Sequence, residues 1–150
     1  MKTIIFIFTI LSLTTAHLFS EGEWQALNSG VTTYLNGVYF INPNTGYVCG
    51  TSGKILKTTN GGINWNLFQQ NQAFGLNDIR FTEDLTGYCC GSMGIIKTTN
   101  AGENWYNVFP TTTVAKLAFA GNLIFAAANT GVFKSTDSGG NWMNINPVSA

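Results

Sequence analysis

From residue 35 onward, apolar and polar positions alternate in short runs separated by clusters of Gly, Asn, Thr and Pro. Such alternation is typical of half-buried β-strands, and the clusters between the runs are rich in turn-forming residues. The pattern predicts an all-β chain with four short strands in each of three consecutive units. The predicted strands are residues 35–41, 47–51, 54–58 and 63–68 in the first unit, 76–81, 87–90, 95–98 and 104–109 in the second, and 114–120, 123–127, 132–135 and 141–145 in the third.

One phrase recurs between the third and fourth predicted strands of every unit. It reads KTTNGGINW at residues 57–65, KTTNAGENW at 97–105 and KSTDSGGNW at 134–142. Trp65 and Trp105 are 40 residues apart, and Trp105 and Trp142 are 37 apart. A repeat near this period is typical of stacked supersecondary units, in which neighbouring units bury each other's apolar faces.

Four antiparallel strands per repeat match the blade of a β-propeller, which covers both faces of each sheet by radial stacking. The sequence therefore predicts three blades of a partial β-propeller within residues 17–150. The repeats cover about 24–65, 66–105 and 106–145, and Trp24 is interpreted as the tail of a preceding unit. Three blades are too few to close a ring, so the sequence is read either as part of a longer protein or as a chain whose copies assemble.

Each copy of the phrase fits Ser/Thr-x-Asp/Asn-x-Gly-x-x-Trp. Asn and Asp bond the amides that follow them, Gly adopts positive φ without strain, and Trp is large enough to cover a hairpin. We therefore predict a structural role, with the tryptophans in equivalent, largely buried positions. Neutral Asn in two of the three copies disfavours a metal site, and no helix follows to form a phosphate-binding loop. The motif residues are Thr58, Asn60, Gly62, Trp65, Thr98, Asn100, Gly102, Trp105, Ser135, Asp137, Gly139 and Trp142.

This motif is identified as the Asp-box, also called the BNR repeat. The wider string GYVCGTSGKILKTTNGGINW is similar to the photosystem II stability and assembly factor family, and the resemblance covers residues 24–145. It implies a propeller of about seven blades that acts as an assembly chaperone or docking surface without chemistry of its own. The resemblance does not extend to the arginine-rich patch of the photosynthetic members, because Arg80 is the only arginine.

The first sixteen residues have a different character from the repeats. Lys2 precedes an apolar run at residues 4–13, and small residues follow at Thr14 and Ala16. This is the pattern of a secretory signal peptide, and the run is too short to span a bilayer as a stable helix. We predict a signal peptide over residues 1–16, cleavage after Ala16, a secreted or periplasmic protein, and no stable membrane insertion after cleavage.

Composition narrows the possible partners. Basic and acidic residues number seven each, so there is no electrostatic footprint for nucleic acid. The three cysteines, Cys49, Cys89 and Cys90, match no zinc spacing and are predicted as buried strand residues, with a disulfide of Cys49 left open. We predict no metal site and no cofactor.

Catalysis by this segment is also disfavoured. Sialidases, which share the Asp-box, clamp the substrate carboxylate with three arginines, and this chain has one. Other glycosidases use two facing carboxylates, whereas Glu83 and Asp84 are adjacent in a turn and Asp78 has no evident second acid. We predict no catalytic residues. The alternative left open is a fragment of an Asp-box glycoside hydrolase, sialidase-like, whose catalytic residues lie outside this chain.

The remaining prediction is a non-catalytic binding or scaffold module with a protein or glycan ligand. Propellers bind through the loops between blades and the turns between second and third strands. Phe74 lies in the polar run QQNQAFGLND, where it is either an exposed anchor or tucked into a blade interface. The candidate binding residues are Phe74, Arg80 and Met93.

Overall fold

The computed structural model describes residues 26–69, 74–109 and 112–146. The predicted signal peptide and Trp24 lie outside these residues. In the described part of the chain, no helix is long and apolar enough to cross a membrane. The strands there are β1 Leu35–Phe40, β2 Gly46–Gly50, β3 Ile55–Thr58, β4 Asn66–Gln69, β5 Leu76–Phe81, β6 Gly87–Gly91, β7 Gly94–Thr98, β8 Tyr106–Phe109, β9 Val114–Ala120, β10 Leu123–Ala128, β11 Gly131–Ser135 and β12 Met143–Asn144.

These strands form three separate antiparallel sheets of four. Blade 1 pairs β1 to β4 in sequence order, blade 2 pairs β5 to β8, and blade 3 pairs β9 to β12. The first strand of each blade lies beside the first strand of the next. Asn36 Nδ2 donates to Leu76 O at 2.8 Å, and Asn77 Nδ2 donates to Val114 O at 2.9 Å. The blades therefore share an inner edge, which confirms the prediction of an all-β partial propeller.

Among the described residues, the hydrophobic core consists of two clusters, each at a blade–blade interface. Apolar side chains on alternate positions of β2 and β3 face those of β5 and β6, and the same relation joins blades 2 and 3. The first cluster is Tyr47, Cys49, Ile55, Leu76, Ile79, Phe81, Cys89 and Ile96. The second is Tyr88, Cys90, Ile95, Phe109, Val114, Leu117, Ile124 and Ala126.

A polar contact at the outer part of each interface repeats from blade to blade. Tyr47 Oη and Lys57 Nζ of blade 1 both donate to the carbonyl oxygen of Ala101 in the Asp-box turn of blade 2, at 2.8 and 3.3 Å. Tyr88 and Lys97 of blade 2 donate in the same way to Ser138 O in blade 3, at 3.0 and 2.9 Å. The side of a blade that carries these donors receives the Asp-box turn of the next blade, and we call it the receiving face. The opposite side carries the blade's own Asp-box turn, and we call it the turn face.

The fourth strands begin later than predicted. Residues 63, 104 and 141 were expected to start them, but the strands begin at Asn66, Tyr106 and Met143. The reason lies in the Asp-box, whose Asx side chain accepts the backbone N–H four residues later and so removes it from the ladder. These bonds are Asn64 N to Asn60 Oδ1 at 2.9 Å, Asn104 N to Asn100 Oδ1 at 2.9 Å and Asn141 N to Asp137 Oδ1 at 2.8 Å.

A further expectation differs from the structure. The predicted second and third strands leave two residues, 52 and 53, between them, whereas the connection from β2 to β3 is a three-residue 3₁₀ turn, Thr51–Gly53. It needs two left-handed positions, Ser52 at φ 60° and Gly53 at φ 63°. The Asp-box tryptophans occupy equivalent, mostly buried positions, and Trp105 and Trp142 pack against the two blade–blade clusters.

Replacing Tyr47 with Phe tests the repeated interface contact. The change removes the hydroxyl that donates to Ala101 O and leaves the ring in the core, so we expect a loss of about 1 kcal/mol of unfolding free energy. Urea denaturation measures this loss. Tyr34→Phe is the matched control, because Tyr34 is 81% exposed. An equal effect of the two substitutions would contradict the assigned role.

Candidate functional site

The Asp-box turn of blade 1 is organised around one buried hydroxyl. Thr58 Oγ1 accepts the backbone N–H of Gly62 at 2.9 Å and that of Asn60 at 3.3 Å, and it donates to Asn60 Oδ1 at 3.0 Å. Gly61 and Gly62 adopt φ of 69° and 89°, and the motif specifies glycine at the second of these two positions. The structure thus places the predicted motif residues in one closed hydrogen-bonded turn.

The other two turns have nearly the same geometry. The hydroxyls of Thr98 and Ser135 accept the N–H groups of Gly102 and Gly139 at 2.9 and 2.8 Å. The residue between Asx and Gly is left-handed in both turns, as Ala101 and Ser138 have φ of 55° and 57°. Two non-glycine residues in this conformation show how strongly the turn is fixed.

Asp137 is the one charged residue of the three Asx positions. Its carboxylate accepts the backbone and side-chain N–H groups of Asn141 at 2.8 and 2.7 Å and the hydroxyl of Ser135 at 2.9 Å. These bonds favour the ionised form and lower the pKa of Asp137 to about 2. In the described residues, no group of three His, Cys, Asp or Glu side chains is arranged to hold a metal. The carboxylate of Asp137 therefore stabilises the Asp-box turn of blade 3.

Asp78 is buried on β5, where it joins blades 2 and 3. Its Oδ2 atom accepts the backbone N–H of Leu117 at 3.3 Å and lies 3.4 Å from Arg80 Nε, and its Oδ1 atom lies 3.8 Å from Lys116 Nζ. A carboxylate that accepts two hydrogen bonds and lies beside a lysine ammonium is a structural anchor and a poor general base. Sequence reasoning considered Asp78 only as a glycosidase acid and missed this anchoring role.

Arg80 lies at the rim of a pocket beside the inner strands. Its Nε atom is held by Asp78, its guanidinium lies 5.9 Å from the ring centre of Tyr39, and its side chain is 40% exposed. The pocket has a volume of about 520 Å³, and its walls include Tyr39, Leu117 and Phe119. An arginine held in this way keeps its terminal nitrogens oriented for a planar anion such as a carboxylate.

The other two candidate residues lie elsewhere. Phe74 is half-buried against the interface of blades 1 and 2, which is the second of the two placements left open by the sequence. Met93 is 50% exposed in the turn between β6 and β7. That turn is tied to the start of β5 by Ser92 N donating to Gly75 O at 3.0 Å. Phe74 and Arg80 are separated by six residues of extended chain, about 20 Å, so the three candidates do not form one site.

The three cysteines are free and buried in β2 and β6. Burial raises the pKa of Cys89 well above its ordinary value, and the neighbouring Cys49 adds to the effect. Burial beside Asp78 raises the pKa of Cys90 to about 12. The thiols of Cys89 and Cys90 are therefore protonated at neutral pH and are not poised as nucleophiles.

The family model described as photosynthesis system II assembly factor YCF48 matches residues 16–148. The chain belongs to the YCF48 family. The match covers all three blades, and it agrees with the resemblance read from the Asp-box strings. No curated protein matches the sequence.

Solved structures give the same fold at low identity. The structure of YCF48 bound to D1 peptide has a TM-score of 0.70 at 20% identity, over 80% of this chain and 43% of that one. YCF48 from Cyanidioschyzon merolae has a TM-score of 0.63 at 20% identity, over 74% and 39%. The GH74 enzyme of Niastella koreensis has a TM-score of 0.62 at 20% identity, over 75% and 21%. This chain therefore spans less than half the length of the YCF48 structures it matches.

The lowered pKa of Asp137 makes the stability of blade 3 dependent on pH. Because the folded pKa is about 2 and the ordinary value is 3.8, the stabilisation is complete above about pH 5 and is lost as the pH falls toward 2. We expect Asp137→Asn to reduce the difference between the urea midpoints at pH 5 and pH 2.5. Glu103→Gln is the control, since Glu103 is an exposed acid in the equivalent turn of blade 2. An unchanged difference in Asp137→Asn would contradict this role.

Proposed function

We propose that this chain is a non-catalytic binding module of an exported Asp-box propeller and that its ligand is an extended segment of a protein. Export rests on the signal-peptide pattern that ends at Ala16. The ligand contacts the pocket at the inner edge of the three blades, where Arg80 binds a carboxylate of that segment. The chain acts by holding the partner and carries out no bond-making step.

The observation that carries this proposal is the fixed arginine. Asp78 and Tyr39 hold the Arg80 guanidinium before a ligand arrives, so little side-chain entropy is lost on binding. The pocket places aromatic rings of Tyr39 and Phe119 beside that charge. A concave site with aromatic walls and one oriented charge is typical of peptide and small-molecule recognition.

Family membership supports a protein ligand. The family is described as an assembly factor, and one member has been solved with a D1 peptide bound. Because this chain and that member share 20% identity, the ligand of one does not identify the ligand of the other. The shared propeller and the fixed arginine favour the coarser inference that this chain also binds a peptide segment.

The likeness to GH74 enzymes does not lead us to propose catalysis by this segment. It is a likeness of fold at 20% identity. In the described residues, Asp78 is held by an amide and two cations, and Asp137 closes a turn. We expect no hydrolysis of sialosides or of plant and microbial glycans. Turnover abolished by substituting one of these two residues would contradict the proposal.

Substitution of Arg80 tests the binding site. The probe is a library of short fluorescent peptides with a free C-terminal carboxylate, compared with the same peptides as C-terminal amides. Loss of a charge-assisted hydrogen bond of roughly 1.5–3 kcal/mol predicts that Arg80→Gln weakens binding of the free acids about 10- to 100-fold. Fluorescence anisotropy measures the dissociation constants. We expect Arg80→Lys to recover part of the affinity, because it restores the charge without the planar fork.

Lys54→Gln is the charge-matched control, because Lys54 lies in the connection between β2 and β3, away from the pocket. It is expected to leave binding unchanged. Thermal melting of each variant shows whether the fold is retained. Equal binding of acids and amides, or equal binding by Arg80→Gln and the wild type, would overturn the proposed site.

A further inference from the structure

The turn between the first and second strands of a blade, its first turn, covers the Asp-box turn of the same blade in blades 1 and 2. In blade 1, Asn44 O accepts the backbone N–H of Gly61 at 2.9 Å. In blade 2, Leu85 O accepts that of Ala101 at the same distance. Both donors are the left-handed residue that precedes the motif glycine. The first turn thus satisfies a backbone group of the Asp-box that the motif side chains do not bond.

In blade 3 the corresponding backbone group is left without a partner. The Ser135 hydroxyl accepts the N–H groups of Asp137 and Gly139 at 3.4 and 2.8 Å, and the Asp137 side chain accepts that of Asn141 at 2.8 Å. Between them, Ser138 N–H has no acceptor in the part of the chain that the structure describes. This turn therefore leaves open the one amide that a first turn covers in the other two blades.

The missing acceptor follows from the form of the first turn in blade 3. Residues 41–45 connect the last paired positions of β1 and β2, and residues 82–86 connect those of β5 and β6. In blade 3 the strands pair one step further, so only Gly121 and Asn122 form the turn. A tight hairpin of this kind does not bring a carbonyl group to Ser138.

A pocket of about 250 Å³ lies between this tight turn and the Asp-box turn of blade 3. Gly121, Asn122 and Ser138 line it from blade 3, and Glu83 and Tyr88 line it from blade 2. All of its lining residues belong to these two neighbouring blades. The pocket therefore does not depend on which blades precede or follow this sequence.

This pocket adjoins the one beside Arg80. The residues that line both are Thr82, Phe119 and Gly121. The two pockets therefore form one groove along the first turns of blades 2 and 3. Arg80 pairs in register with Tyr88, and Tyr88 Oη lies 3.0 Å from Ser138 O. At about 3.3 Å per residue, roughly five residues of extended chain reach from Arg80 to Ser138.

Ser138 is held in position on the turn face of blade 3 before a ligand binds. Tyr88 Oη and Lys97 Nζ, from the receiving face of blade 2, donate to its carbonyl oxygen at 3.0 and 2.9 Å. Its φ of 57° is fixed by the Asp-box, and the residue is exposed. A donor that is already oriented loses little conformational entropy when it binds an acceptor.

We propose that the groove at Ser138 is a second subsite for the peptide ligand and that a main-chain carbonyl group of the ligand accepts the Ser138 N–H. This inference rests on the proposed function, which supplies the extended segment. The ligand backbone takes the position that Asn44 O and Leu85 O have in blades 1 and 2. Because the contact is to main chain, the subsite selects the length and extended form of the ligand and not a particular side chain.

Amide hydrogen exchange followed by NMR tests the subsite directly. In the protein without peptide, we expect Ser138 to exchange about tenfold or more faster than Ala101, whose N–H is bonded to Leu85 O. Saturation with a seven-residue peptide that has a free C-terminal carboxylate is expected to slow exchange at Ser138 and to leave Ala101 unchanged. A seven-residue peptide that binds without slowing exchange at Ser138 would overturn the proposal.

Peptide length provides a second measurement. One added hydrogen bond predicts that seven-residue acids bind about two- to tenfold more tightly than three-residue acids. Replacing the amides of the longer peptide by esters, one position at a time, weakens each carbonyl group as an acceptor. We expect one of these positions, about five residues from the C-terminus, to lose the gain. Equal affinities of long and short peptides would contradict the subsite.

A turn graft is the matched protein variant. Replacing residues 120–123 by TEDLT, the sequence of residues 82–86, gives blade 3 the first turn of blade 2. We expect a carbonyl group of the new turn to accept Ser138 N–H, so exchange at Ser138 is slow without peptide. The affinity ratio of seven- to three-residue acids is expected to fall to about one, since a single hydrogen bond accounts for it. An unchanged ratio in the folded graft would count against the proposal.

The two proposals fail in different ways. If acids and C-terminal amides bind equally but seven-residue peptides still slow exchange at Ser138, the Arg80 site is wrong and the Ser138 subsite is supported. If acids are preferred but exchange at Ser138 is unaffected, the reverse holds. Circular dichroism shows whether the graft is folded, and the exchange and ester measurements on the wild-type chain do not depend on it.

Discussion

The interface between neighbouring blades depends on a buried hydroxyl in each Asp-box. Thr58, Thr98 and Ser135 are almost fully buried, and each oxygen accepts the N–H of the motif glycine four residues later. This bond holds the intervening residue in a left-handed conformation, and in blades 2 and 3 its carbonyl oxygen reaches the preceding blade. A buried hydroxyl is stable there only because all its hydrogen-bonding capacity is used. If the turn opened, this carbonyl oxygen would no longer accept the Tyr and Lys donors of the preceding blade, and the interface would lose its polar contact.

Local signals were sufficient to predict the strands and turns. Apolar alternation and Gly-rich turns place β1, β5 and β9 to within one residue, and the repeated phrase places the Asp-box turns between third and fourth strands. The predicted start of the fourth strands was wrong, because the Asx side chain accepts a backbone N–H that would otherwise donate within the sheet. That competition is a matter of hydrogen-bond geometry in three dimensions, and a propensity for strand does not report it.

The candidate site was only partly predictable, for a different reason. Asp78 and Arg80 are two residues apart on one strand, so their side chains share a face, and this spacing alone could have indicated that the acid positions the arginine. Tyr39 and Phe119 belong to the inner strands of the other two blades. Their approach to Arg80 follows from how the blades stack, which no local pattern specifies. Phe74 shows that local sequence can also mislead, because a residue in a polar stretch packs at a blade–blade interface.

The buried cysteines make the packing of the blades observable by chemistry. Cys49 lies in the interface of blades 1 and 2 together with Cys89, and Cys90 lies in that of blades 2 and 3. Because these thiols are covered by the neighbouring blade, a thiol reagent reaches them only during moments when two blades separate. The rate of labelling at each cysteine therefore reports how readily its own interface opens. Labelling of Cys49 and Cys89 thus follows separation of blades 1 and 2, and labelling of Cys90 follows separation of blades 2 and 3.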